Sequence, residues 1–300
     1  MKVVDVSIII VSFNTKELTV ECVRSVFRTV KKSSFEIIVV DNASEDNSVG
    51  ELKRLKTKNL KLKIIENSGN FGFSKANNIG IKESQGRYVL FLNSDTLVYE
   101  NTIDGMINFM DENSRAGAST CFVRLPDGKL DDASHRGFPT PWRAFSHFSG
   151  LARILRLKPF TGYNLSHLSL NKTHKIDALA GAFMLVRRVA GDDVGWWDED
   201  YFWYGEDLDF CYRLKKNGWE IYFVPEFEIL HYKGASGGLK KQSKHLTVAT
   251  SEIKKIAHEA RFNAMKIFYS KHYKKRYPSI VHDLVLSGIK LKKLVSRIKL

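Results

Sequence analysis

The chain has 300 residues, 43% hydrophobic and 12% aromatic, enough apolar surface for a sizeable core, which excludes intrinsic disorder as its overall state. Its three cysteines, Cys22, Cys121 and Cys211, lie far apart with no CxxC pair, so neither a disulfide framework nor a cysteine zinc site is supported, and a reducing compartment fits best. The net charge of +14 sits in the tail: residues 240–300 hold 16 Lys+Arg against 3 Asp+Glu, leaving +1 for the first 239 residues, unlike a domain whose whole face binds nucleic acid.

The start, Met1 to Ile10, has a short apolar run without the basic flank and cleavage site of a secretory signal. No stretch reaches the roughly 18 uninterrupted apolar residues of a membrane span. The expected location is the cytosol or the cytosolic face of a membrane.

Val6 to Val11 is a continuous apolar run that stops at Ser12-Phe13-Asn14-Thr15, as a strand buried on both faces of a parallel sheet reads. A helix follows from Glu17 to Val30, with Leu18, Cys22, Val26 and Val30 on one face. Phe35 to Val40 is a second strand, ending at Asp41-Asn42; Ser44 or Asp46 is the candidate cap of a helix carrying Val49, Leu52 and Leu55. Leu62 to Ile65 gives a third strand, Lys75 to Lys82 a helix, Tyr88 to Leu92 a fourth strand closing at Asn93-Ser94-Asp95, and Asn101 to Glu112 another helix. This alternation predicts an open, doubly wound α/β sheet with ligands at the carboxyl ends of its strands. Each strand end carries small polar residues that are ordinary turn formers when taken singly. Right-handed crossovers bring all four ends to one edge, so Ser12, Asn14, Asp41, Asn70, Asn93 and Asp95 should share a crevice. GxGxxG after the first strand and GxxxxGK[ST] are both missing. Without a glycine cradle, a divalent metal is the obvious means of neutralising a bound diphosphate.

Segment 115–175 contains Pro126, Pro139, Pro141 and Pro159 with no sustained period, and is expected to be an irregular binding region. Order returns from Ile176 to Val186, where Gly181 allows close approach of backbone or ligand. Between Trp196 and Arg213, aromatic residues stand beside carboxylates, a combination suited to a sugar, whose C–H faces pack on rings while carboxylates accept from its hydroxyls. A helix starting at Glu206 would by itself justify Glu206 and Asp207 near its positive end, and would also hold them rigid and ionised. Asp209 and Arg213 have the spacing of a pair along that helix. Trp219 to Pro225 reads as a strand, and His231 follows on a glycine-flanked loop, either structural or a neutral metal ligand to accompany Asp95. From Ala257 the chain is helical, with Phe262, Met265, Phe268 and Tyr269 on one stripe and a break at Pro278. In the last turns Leu291, Leu294, Val295 and Ile298 share an arc of about 100°, flanked by Lys290, Lys293 and Arg297 on one side and Lys292 and Lys299 on the other. Such a helix either lies in an anionic membrane surface or packs on the catalytic domain.

In this order and spacing, Val11-Ser12-Phe13-Asn14, Val40-Asp41-Asn42-Ala43-Ser44, Asn67 to Asn78, Leu92-Asn93-Ser94-Asp95, Gly181-Ala182-Phe183 and Gly205-Glu206-Asp207-Leu208-Asp209 form a recognisable set. Over residues 5–235 the chain resembles the family-2 inverting nucleotide-sugar glycosyltransferases of the GT-A fold, in particular the rhamnosyltransferase-like branch. The resemblance implies a Rossmann-like mixed, mostly parallel sheet with flanking helices: residues 1–98 as the nucleotide-sugar half, 99–239 as the acceptor-binding and catalytic half, and 240–300 as a basic helical extension. It implies that Ser12, Asn14 and Asp41 hold the base and ribose of the donor and that Asn70, Lys75 and Asn78 lie near its nucleotide or sugar. Asn93-Ser94-Asp95 stands at the family's DxD motif, so Asp95 and the late histidine, His231, would bind Mg²⁺ or Mn²⁺. Asp207 is implied as general base, with Glu206 as the fallback, and Gly181, Trp203 and Tyr204 as acceptor contacts. The implied reaction moves rhamnose from dTDP-rhamnose, with inversion, to a glycan or lipid-linked acceptor. The alternatives are a UDP-sugar donor (galactose, galactofuranose or N-acetylglucosamine) or a catalytically idle relative that binds membrane or glycan; no nucleic-acid partner is expected.

Overall fold

Branched apolar side chains fit a pleated surface covered on both faces, and they build the centre of the sheet. In the computed structural model, which describes residues 4–57, 61–155, 157–234 and 250–297, β1 (Val6–Ser12), β2 (Phe35–Asp41), β3 (Leu62–Glu66) and β4 (Tyr88–Leu92) pair in parallel in the order β3-β2-β1-β4. Successive side chains of β1 enter opposite cores: Ile8 and Ile10 meet Val23 and Val26 of α1 (Lys16–Thr29), while Ile9 faces away from them. The crossovers run through α1, α2 (Ser48–Lys56) and α3 (Phe73–Lys82), close to the predicted bounds. The cap of α2 differs: Asn47 holds that position at φ 66°, and Asp46 accepts from the Ser48 N–H at 3.0 Å.

Beyond β4 the sheet turns mixed, continuing through β8 (Phe183–Arg187), β6 (Ala116–Arg124), β9 (Glu220–His231) and β5 (Thr96–Val98), with β7 (His174–Lys175) also on β9. Two expectations are corrected here. The segment expected to be irregular contributes β6 to the interior of the sheet, followed by short helices α5 (Pro141–Phe148), α6 (Leu151–Leu155) and α7 (Lys158–Thr161). The strand predicted to stop at Pro225 continues to His231, so His231 ends β9 and does not sit on a loop. Pro225 is tolerated because the ladder to β6 shifts register there, from Cys121↔Val224 to Phe122↔Glu228, and no N–H is required of it. Residues 235–249, with the rest of the glycine run after His231, and Ile298 and Lys299 of the predicted apolar arc lie outside the described residues.

α4 (Thr102–Glu112) and α8 (Arg188–Val194) cover the sheet, and α9 (Glu206–Lys216) begins at Glu206 as predicted. α10 (Ser251–His272) starts earlier than expected, capped by the Thr250 hydroxyl, which accepts from the Ile253 N–H at 3.3 Å. Its Ala264, Phe268 and Tyr269 pack with Tyr201 and with Tyr212 of α9, and His272 lies 2.6 Å from the Asp209 carboxylate, which also takes the predicted Arg213 pair at 2.7 Å. The first helix of the extension therefore packs on the domain. α11 (Ser279–Arg297), after Pro278, keeps Leu291 and Leu294 of its apolar arc exposed.

The turn after α1 is held by one side chain: the buried Asp104 of α4 accepts from the backbone N–H groups of Lys31, Lys32 and Ser33 at 2.9, 3.2 and 2.9 Å. Asp104→Ala is expected to destabilise the fold by about 2 kcal/mol, since several donors lose a charged acceptor at once. Urea unfolding checks this, and an unchanged midpoint would contradict it.

Candidate active site

The antiparallel strands deliver their ends to the same edge as the carboxyl ends of β1, β2 and β4. Leu92 of β4 pairs with Phe183 of β8, which sets Ala182 beside Asn93, whose N–H donates to the Ala182 carbonyl at 3.1 Å. Thr96 of β5 pairs with His231 of β9, and the Tyr232 N–H donates to the Asp95 carbonyl at 2.9 Å. The resulting cleft, of about 230 Å³, is lined by Asn70, Asn93, Ser94, Asp95, Gly181, Trp203, Tyr204, Glu206, Asp207 and His231, together with Asp131 and Lys233.

Ten of the predicted site residues thus converge. The others stand at the predicted strand ends or on α3, but their side chains have other partners. Ser12 is buried against Thr19 at 3.1 Å. Asp41 receives the N–H and the hydroxyl of Ser44 at 2.8 and 2.7 Å. Asn14 accepts from the Glu45 N–H at 2.8 Å, and Asn78 ties α3 to Trp197 and Glu199, each at 2.9 Å. Lys75 is exposed, its ammonium over the Phe71 ring. None of these five lines the cleft.

Asp95 and His231 are both 5% exposed. An Asp95 carboxylate oxygen lies 3.2 Å from His231 Nε2, while Asp131 holds His231 Nδ1 at 3.1 Å from behind and also pairs with Lys233. Burial alone would lower the His231 pKa, but Asp95 and Asp131 outweigh it and raise it to about 9. Asp131 is lowered far below the carboxylate range: burial opposes this, and His231 and Lys233 prevail. The chemistry of the pair fits a small divalent cation: an oxygen and a nitrogen about 3 Å apart span two adjacent corners of an octahedron with bonds of about 2.1 Å, and a carboxylate behind the imidazole fixes its orientation. Among the described residues no cluster of three or more His, Cys, Asp or Glu side chains would enclose a metal. A cation held here would take its remaining ligands from water and from the phosphates of a bound nucleotide.

In the same cleft, α9 presents two neighbouring carboxylates with different surroundings. Asp207 makes an ion pair with Arg136 at 2.5 Å, both side chains being 13% exposed. Glu206 is buried, and its Oε2 has no hydrogen-bond partner among the described residues. Its pKa is raised to about 8, chiefly by burial and then by the Asp207 charge. The loop before α9 is pinned on α3, where the Phe73 N–H donates to the Phe202 carbonyl at 2.9 Å. Gly72, at φ 80°, leaves room for this, since a Cβ there would lie 2.4 Å from the same oxygen. Trp203 and Tyr204 stack with their rings 4° from parallel, a flat surface beside the carboxylates. The sequence reading had not singled out Asp131 or Arg136. Their only signal was the polar run from Asp131 to Arg136 within an aperiodic stretch.

A sheet of this order with a polar cleft across its strand ends is the GT-A glycosyltransferase architecture. The structure resembles Staphylococcus aureus TarS with a TM-score of 0.58 at 17% identity, over 95% of this chain and 42% of that one. It resembles GalNAc-T7, solved with UDP, GalNAc and Mn²⁺, with a TM-score of 0.58 at 16% identity, over 91% of this chain and 58% of that one. Residues 7–195 match the model of glycosyl transferase family 2, and the chain belongs to that family. Rhamnosyltransferase WbbL of Escherichia coli K12 is 31% identical over 173 residues, 55% of this chain and 62% of WbbL, so the match spans less than two thirds of that relative. N-acetylglucosaminyl-diphospho-decaprenol L-rhamnosyltransferase of Mycobacterium tuberculosis H37Rv is 29% identical over 214 residues, 67% of this chain and 68% of the relative.

The raised Glu206 pKa has a consequence for stability. Between its ordinary 4.5 and about 8, the folded state binds a proton that the unfolded state has released. This contribution is therefore complete below 4.5 and is lost as pH rises through about 8. Glu206→Gln carries no such proton, so its stability relative to wild type should improve steadily across that window. Urea unfolding of both proteins at several pH values checks this; a constant difference would contradict it.

Proposed function

We propose that the chain transfers a sugar from a nucleotide donor, rhamnose from dTDP-rhamnose, to a hydroxyl of a glycan or lipid-linked acceptor, with inversion. The observation that carries this reading is the single cleft containing Asp95 and His231 together with Glu206 and Asp207. Asp95 and His231 would hold Mg²⁺ or Mn²⁺, which when bound neutralises the departing diphosphate. Asn70, Asn93 and Ser94 line the same cleft and would contact the donor, while Gly181, Trp203 and Tyr204 would meet the acceptor. The relatives' names support the choice of sugar, and that of the mycobacterial relative supports a lipid-linked acceptor.

The two carboxylates take different parts. Glu206, its pKa raised by burial and by the Asp207 charge, keeps its proton at neutral pH and is unsuited to accept another. Asp207 takes the proton from the acceptor hydroxyl as that oxygen attacks the anomeric carbon. Arg136 orients Asp207 beforehand. In one displacement the carbon–oxygen bond to the acceptor forms, the bond to the diphosphate breaks, and the configuration inverts. We also place the chain on the cytosolic face of a membrane, with the exposed arc of α11 in the anionic lipid surface. No helix of the described residues is long and apolar enough to cross a bilayer.

Asp207→Asn should lower transfer from dTDP-rhamnose by about 10³-fold while leaving donor affinity within about twofold, as removal of a general base does. A transfer assay with calorimetric donor titration reads both, and intact turnover would refute the assignment. Asp95→Ala should weaken donor binding in Mg²⁺ by at least about tenfold; unchanged affinity would count against the metal site. The same titration across dTDP- and UDP-sugars decides the donor.

A further inference from the structure

Large exposed apolar side chains concentrate in two segments far apart in sequence. In α5 and α6, Phe145 is 57% and Ile154 77% exposed, with Trp142 half exposed beside them; in α11, Leu284, Leu291 and Leu294 are 68%, 64% and 60% exposed. The two segments are neighbours in space, Lys292 of α11 lying over the Phe148 ring of α5. An apolar patch of this kind calls for an occupant. Charge identifies it. Residues 133–176 carry seven Lys+Arg and no Asp or Glu; Arg136, Arg143 and Lys175 pair with Asp207, Asp177 and Glu220, the rest being Arg153, Arg156, Lys158 and Lys172. To these α11 adds Lys290, Lys292 and Arg297, beside a Lys293 that pairs with Glu259, against Asp283 alone. A second copy of the chain docked through this face would bring like charges together at a cost. An anionic bilayer satisfies both features at once, since it takes up the apolar side chains while the basic ones remain among the headgroups.

We infer that α5 and α6 form, with α11, a single bilayer-binding face, in which Trp142, Phe145 and Ile154 insert into an anionic lipid surface. This rests on the reading of α11 as a membrane-facing helix and adds to it a contact made by the catalytic domain itself. Arg136, which touches Asp207, is five residues before Pro141 at the start of α5, a span of at most about 17 Å of chain. The stretch that pairs with Asp207 thus continues directly into this face, and an acceptor embedded in the same bilayer would arrive from that side.

The test uses the full-length chain and co-flotation with phosphatidylcholine vesicles, with or without phosphatidylglycerol. Wild type is expected to bind the phosphatidylglycerol vesicles, and added salt to release it. F145S/I154S and L291S/L294S should each weaken binding at least about tenfold, since each removes two insertable apolar side chains. Unchanged melting temperatures show that the variants remain folded. In vesicles carrying brominated lipid, part of the tryptophan emission should be quenched, and W142F should lose that part. If L291S/L294S weakens binding while F145S/I154S and the Trp142 signal stay unaffected, the tail reading stands and this inference falls. If wild type binds no vesicles, both fall. If F145S/I154S instead dissociates a lipid-free dimer seen by sedimentation velocity, the face is an interface between copies and the inference is overturned.

Discussion

The antiparallel register of β5 on β9, with Thr96 opposite His231, is the constraint on which the cleft depends. It sets a carboxylate from the chain just after β4 against an imidazole at the end of β9, far along the sequence. Buried charge must be paired to be tolerated. Asp95 and Asp131 share His231, and Lys233 completes the balance on Asp131, so the arrangement is fixed electrostatically as well as by the backbone. The register of β4 on β8 acts similarly, bringing Gly181 and Ala182 to the edge of the cleft where the parallel strands end.

In the same cleft, two adjacent residues of α9 are driven apart in chemistry by their surroundings. Arg136 reaches Asp207 from the stretch between β6 and β7, whereas Glu206 Oε2 has no partner among the described residues. The segment that supplies Arg136 also carries α5 and α6, so the chain that pairs with Asp207, the proposed base, continues directly into the apolar and basic face proposed to meet lipid.

Much of the architecture was legible because the parallel strands are written as branched apolar runs, and because each ends in residues that pattern alone could place on one edge. Asp95 was placed at that edge in this way, whereas Asp207 stood out only in the cluster of aromatics and carboxylates before a helix start and His231 only beside a glycine run. β6 was not, since Ala116-Gly117-Ala118-Ser119-Thr120-Cys121 is built of small side chains that fill a crowded interior without an apolar run. The length of β9 was hidden by Pro225, whose usual meaning as a strand breaker is cancelled by a register shift visible only in the partner strand. Ser12, Asn14, Asp41 and Asn78 were placed at the expected ends and elements, yet in this structure Ser12 bonds Thr19 of α1 and the other three bond neighbouring loops. The atoms that bind a ligand are also those that close a turn, and sequence has no means of separating the two. Asp131 and Arg136 escaped notice because they act through tertiary contacts made from a stretch with no period of its own.

Asp95 and His231 are proposed as adjacent ligands of one cation beneath a nucleotide diphosphate. Electron spin-echo spectroscopy of the protein with Mn²⁺ and dTDP tests this claim most directly, since an imidazole nitrogen bound to Mn²⁺ modulates the echo. The predicted result is a modulation from one histidine nitrogen that disappears in His231→Ala. A wild-type complex with Mn²⁺ bound and no nitrogen modulation would contradict the claim.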